Sequence, residues 1–149
     1  MVRVLVFSEE YTELIFLEML LKKVGFDAMG LQKESALAEQ VMGFNPEIIL
    51  AGGSTKPGGF KWLQKIKRRN GLPKIILMFS AQHMLTPQQL VALDIDLLIE
   101  NPVEPLRLLK GLARLSAMDE ATLVQKFERL KASGQFKDPR RHEPAATAS

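Results

Sequence analysis

The sequence contains no cysteine, which excludes a disulfide framework and thiol catalysis and fits a reducing compartment. It has only two histidines, His83 and His142, far apart in the chain, so no metal site built from nitrogen and sulfur ligands is expected. Long hydrophobic runs are missing as well. The longest are strand-sized, which predicts no membrane span. The amino terminus, Met1-Val2-Arg3-Val4-Leu5-Val6, enters a strand pattern directly, without the apolar stretch and small-residue cleavage site of a signal peptide. The expected location is cytoplasmic. Acidic residues are absent from one long internal stretch: between Ile48 and Leu93 there is no Asp or Glu.

What is present is enough apolar material for one domain. Hydrophobic residues make up 46% of 149 positions, which supports a sizeable core rather than a disordered chain. The acid-free stretch carries Lys56, Lys61, Lys65, Lys67, Arg68, Arg69 and Lys74, a formal +7. With an overall charge of +3, the remainder therefore carries −4. One-signed charge of this kind forms a solvated helix face or a docking surface for an acidic partner or a phosphate-bearing ligand.

The periodicity alternates between strand and helix. Residues 2–7, 26–31, 47–51, 74–79 and 95–99 read as short apolar strands. Between them, Leu14, Leu17, Leu20, Leu21 and Val24 recur at helical spacing, with Ser8 as the expected cap, Glu9 and Glu10 in the first turn and Gly25 as the stop. A second helix is expected over 35–42, ending at Gly43. A third, opened by Phe60, Leu63 and Ile66, ends at Asn70-Gly71. Thr86-Pro87-Gln88-Gln89 has the residues of a capping box and starts a helix running to about Leu93, and another covers 104–115. Strands and helices in alternation, joined by short loops, predict a five-stranded parallel sheet with helices on both faces. After this unit, residues 1–116, comes an additional helix within 117–134, with Asp119 as cap and Leu123, Phe127 and Leu130 as its apolar stripe. That stripe must cover its own domain, a second copy or a partner. Residues 135–149 read as a linker or tail, as at the edge of one module of a longer protein.

The third strand runs into Gly52-Gly53-Ser54-Thr55-Lys56-Pro57-Gly58-Gly59-Phe60. In an open parallel sheet, ligands and chemistry sit at such a carboxyl end. Here it offers no carboxylate, histidine or cysteine.

Over residues 2–115 the sequence resembles the receiver domain of bacterial response regulators (CheY-like). The resemblance rests on Ser8-Glu9-Glu10 after the first strand, Gly25-Phe26 after the first helix, Pro46-Glu47 before the apolar third strand, Pro57 and Gly59-Phe60 after it, Ser80-Ala81 and Asn101-Pro102. It implies two acids after the first strand and an aspartate ending the third, holding magnesium. It further implies that this aspartate accepts a phosphoryl group, with a lysine, a Ser or Thr and a strand-5 aromatic completing the switch. Carried over position by position, these roles fall on Ser8, Glu9, Gly52, Asn101, Ser80 and Leu98. Only Glu9 and Ser80 keep a matching side chain. The resemblance thus implies a doubly wound five-stranded parallel sheet of order 2-1-3-4-5, and a receiver without its phosphoacceptor, with no cofactor and no metal.

Three binding roles remain in view. As a protein-interaction or signalling module, the chain would use the face that receivers form from their fourth helix, fifth strand and fifth helix. Here this face draws on Gln88, Gln89, Val91, Asp94, Asp96, Glu100, Arg107 and Lys110. A homodimer would use the same face or the added helix through Leu123, Phe127 and Leu130. As a small-anion or nucleotide sensor, it would use backbone N–H groups of Gly52, Gly53, Ser54 and Thr55 with Lys56, although no Gly-Lys-Ser/Thr phosphate loop occurs. As a nucleic-acid binder, the least favoured of the three, it would use Lys61, Lys65, Lys67, Arg68 and Arg69, but no DNA-reading motif accompanies them. An enzyme is not expected: Ser54, Ser80 and His83 lack a third member.

Overall fold

The computed structural model describes residues 1–52, 63, 66, 71–80 and 86–136. Its elements are β1 (Arg3–Ser8), α1 (Tyr11–Lys23), β2 (Asp27–Leu31), a short 3₁₀ turn (Glu34–Ala36), α2 (Leu37–Phe44), β3 (Ile48–Gly52), β4 (Lys74–Phe79), α3 (Pro87–Leu93), β5 (Leu97–Glu100), α4 (Pro105–Ser116) and α5 (Glu120–Ala132). The strands form one parallel sheet, as the periodicity predicts, in the order β2-β1-β3-β4-β5 that the resemblance implies.

β1, β3 and β4 read as unbroken apolar runs because both of their faces are covered. Side chains alternate across the sheet with period two. Val4, Val6, Ile48, Leu50, Ile76, Met78 and Ile99 lie in the cluster that holds the apolar sides of α1, α4 and α5. Leu5, Phe7, Ile49, Ala51, Ile75 and Leu77 meet Leu37 of α2, Leu63 and Leu93 of α3 on the other face. Leu63 and Ile66 do join the core, as the sequence predicts. The rest of the helix expected there lies outside the described residues.

Several element ends differ from expectation for local reasons. Ser8 does not cap α1 but ends β1, fully buried. The cap is Glu10, whose carboxylate accepts from the N–H groups of Thr12 at 3.1 Å and Glu13 at 2.7 Å. The Ser8 hydroxyl instead accepts from the Glu10 N–H at 3.1 Å, fixing the turn between strand and helix. α2 runs past Gly43, and Asn45 in the left-handed region (φ 51°) ends it. β5 starts at Leu97 rather than Ile95, because Asp96 is spent on anchoring: its carboxylate accepts from the Ile75 N–H at 2.7 Å. The capping box at α3 forms as expected, with Thr86 Oγ1 accepting from the Gln89 N–H and Gln89 Oε1 from the Thr86 N–H.

The extra helix belongs to the same packed unit. Leu123 is fully buried and Phe127 is 3% exposed, both within the cluster beneath α1 and α4. The apolar stripe of the added helix thus covers its own domain. Leu130 is half-buried against the same cluster. Packing also extends into the segment expected to be a tail. The Phe136 ring meets Phe16 at 5.6 Å and Phe127 at 5.1 Å, both edge-on, and the Gln135 carbonyl accepts from Lys23 Nζ. Among the described residues, no helix is long and apolar enough to cross a membrane.

Candidate functional site

Parallel strands bring their carboxyl ends to one edge of the sheet. There the structure gathers Ser8 at the end of β1, Gly52 at the end of β3, Ser80 just after β4 and Asn101 just after β5. Ser8 lies beside Gly52 in the β1–β3 register. Four of the six positions matched to the receiver frame therefore assemble. Glu9 stands half-buried beside them. Leu98, in register with Leu77, is 42% exposed at the sheet's edge.

None of the four assembled positions carries a charged side chain. Gly52 has no side chain, and the space where its Cβ would stand is occupied. That point lies 2.8 Å from Cε and 3.1 Å from Cβ of Met78, and 3.5 Å from Oε1 of Glu13. A real Cβ cannot approach so closely without displacing Met78. Met78 is itself 1% exposed in the core. Ser80 Oγ and Asn101 Oδ1 are both buried with no hydrogen-bond partner among the described residues. The Asn101–Pro102 peptide is cis, and the Asn101 N–H donates to the Phe79 carbonyl at 2.6 Å.

The magnesium ion that the receiver frame implies does not fit these residues. Magnesium requires hard oxygen donors, chiefly carboxylates, in octahedral order. Glu10 is committed to capping α1. No group of three His, Cys, Asp or Glu side chains among the described residues is placed to hold a metal ion. The Met78 thioether methyl lies 2.8 Å from where a Cβ at position 52 would stand. No step through the ion is derived.

Glu13 is the residue that the sequence reading missed. It is 9% exposed, one of two buried polar side chains among the described residues. A signal was present: Glu13 continues the register of Leu17, Leu20 and Val24 along α1, so a carboxylate occupies the apolar stripe. Of the other candidates, Gly53, Ser54, Thr55 and Lys56 of the anion loop lie outside the described residues. So do the basic residues Lys61, Lys65, Lys67, Arg68 and Arg69, and His83.

The proposed interaction face is only partly available. Gln88, Val91, Asp94, Glu100, Arg107 and Lys110 are exposed, Val91 at 81%. Asp96 is tied to β4, and Gln89 is held in the capping box.

Comparison with known proteins supports the fold. No family model matches the chain, and no curated protein does either. Among solved structures, it is similar to the amino-terminal domain of the nisin resistance regulator NsrR, a lantibiotic response regulator (18% identity, TM-score 0.65), over 76% of this chain and 97% of that one. It is similar to the chemotaxis protein CheY4 of Vibrio cholerae (16% identity, TM-score 0.66), over 77% of this chain and 98% of that one. A candidate pilus assembly protein (cpaE) from Burkholderia thailandensis aligns at 22% identity and TM-score 0.59, over 79% of this chain and all of that one. The fold is that of CheY-like receiver domains.

Proposed function

We propose that this chain is a receiver-fold signalling module that has lost aspartyl phosphorylation and acts by binding another protein, without enzymatic activity of its own. The observation that carries this reading is the closed space at Gly52. Its side chain is absent, and Met78 fills the position where a phosphoacceptor would begin. A nucleophile needs an oxygen free to attack and a cation to neutralise the incoming phosphoryl group. Neither the acid at position 52 nor the cation at position 101 exists in this sequence.

A binding role is supported by what stays exposed. Val91 on α3 and Leu98 on β5 are apolar and exposed, and Arg107 and Lys110 on α4 are exposed as well. The structural neighbours include response regulators and a protein described as a candidate for pilus assembly. The same fold therefore occurs in proteins assigned to different roles. The module is read as bacterial and cytoplasmic. Incubation with acetyl phosphate and magnesium, followed by intact-mass measurement, tests the loss of phosphorylation. An unchanged mass is expected; an acid-stable, base-labile phosphate adduct overturns it.

A further inference from the structure

We infer that the groove between the free edge of β5 and α4 receives an extended, acidic segment of a protein partner; this rests on the interaction reading above and names its partner by chemistry. β5 is the last strand of the sheet. Among the described residues no strand pairs with its outer edge, and an unpaired edge is where an extended peptide adds to a sheet. A groove of about 460 Å³ runs along this edge, with Leu97 of β5 and Met118 at the α4–α5 junction among its apolar walls. Both residues are only partly buried against the core.

The rim of the groove is cationic. Arg107, Lys110 and Arg114 line it from α4, and their spacing of three and four residues places them on one side of the helix. All three are exposed, and none forms an ion pair among the described residues. Glu120 is the one carboxylate among the lining residues. Asp96, the acid nearest the start of β5, is held by the Ile75 N–H. The cations are thus left for something that arrives from outside.

Strand geometry specifies the pattern of that partner. A strand added to β5 directs alternate side chains to opposite faces of the sheet. One set would lie on the α4 side, over Arg107, Lys110 and Arg114. The other would lie with Leu98, which is 42% exposed in the row of Leu77 on the opposite face. Acidic residues alternating with apolar ones satisfy both faces. Arg107 to Arg114 spans about 10 Å along the helix axis, enough for two or three acidic side chains at the roughly 7 Å repeat of a strand face.

Other occupants fit less well. Residues 137–149 carry Lys137, Arg140 and Arg141 against Asp138 and Glu143, the same sign as the rim. A second copy joined edge to edge about a two-fold axis would bring both cation rows to the same side of one continuous sheet, where they repel.

The test is an amide-shift titration of the isotope-labelled full chain with a short capped peptide alternating glutamate and valine. The same peptide with lysine in place of glutamate is the control. Saturable shifts at Leu97–Glu100 and along α4 from Arg107 to Arg114 are expected with the glutamate peptide only. The double variant Lys110→Glu, Arg114→Glu is expected to weaken that binding about tenfold or more. Absence of these shifts, an equal response to the lysine peptide, or tighter binding of a single-stranded oligonucleotide at the same amides overturns the inference. Shifts confined to Gln88–Val91 overturn the groove while leaving the wider interaction reading in place. A phosphate adduct in the mass experiment overturns that reading separately.

Discussion

Met78 stands in the space that a side chain at Gly52 would need: an added Cβ falls 2.8 Å from Met78 Cε and 3.1 Å from Met78 Cβ. Met78 Cε is the end of a flexible chain and can swing aside, but Met78 Cβ is fixed to β4. A side chain at position 52 is therefore crowded by packing, in addition to the absence of a carboxylate there. Putting an acid back does not by itself recreate the site.

Gly52→Ala tests this sterically, since the Gly52 backbone is not in the left-handed region that disfavours L residues. We expect a loss of about 1–2 kcal/mol in urea unfolding, as for overpacking elsewhere. Met78→Ala alone should also destabilise, by about 2 kcal/mol or more, because it empties a buried site. Combined, the two changes should cost less than their sum by about 1 kcal/mol. Strict additivity would show that the two positions do not compete for space.

Gly52→Asp should remain inert to acetyl phosphate and magnesium and should unfold more easily than the parent. Its carboxylate would enter beside Glu13 as well as Met78, and neighbouring like charges disfavour one another. The intact mass of this variant is the check.

Glu10 and Glu9 look equivalent in the sequence but not in the structure. Glu10→Ala removes a carboxylate that accepts two helix N–H groups, and should cost about 1 kcal/mol. Glu9 contributes its backbone carbonyl to Gln32, and its side chain makes no hydrogen bond among the described residues. Glu9→Ala should stay within about 0.5 kcal/mol of the parent. Chemical denaturation of both variants decides.

α5 should prove integral to the domain. Phe127→Ala is expected to cost about 3–5 kcal/mol. A chain ending before α5 should melt at lower temperature and aggregate, since Leu14, Phe16 and Leu20 share their cluster with Leu123 and Phe127. Unchanged melting of the shortened chain would show that α5 is an independent appendage.

These predictions also mark what was legible in the sequence. The covered parallel sheet was legible because three strands are apolar on both faces; the strand order was legible only through the resemblance to receivers. The start of α3 was legible because Thr86 to Gln89 carries its capping chemistry within four consecutive residues. The start of β5 shifted because Asp96 takes a non-local partner in Ile75, whereas the ends of α1 and α2 are set locally by Glu10 and Asn45. That position 52 carries no acid could be read from the sequence alone. The closure of its space could not, because Met78 reaches it only through the pairing of β3 with β4. Glu13 was overlooked because the apolar leucines around it define the stripe, and one carboxylate in that register does not disturb the pattern. The role of Leu123 and Phe127 stayed open for a similar reason: a stripe shows that something is covered, but not what.

The most direct measurement is an amide-shift titration of residues 1–149 with magnesium and beryllofluoride, a phosphoryl mimic that completes an aspartyl site. The account predicts no saturable change at Ser8, Gly52, Ser80 or Asn101, the residues that share the carboxyl edge of the sheet. Saturable shifts at these four positions would show a working phosphoryl site and contradict the claim that Met78 and Gly52 have closed it.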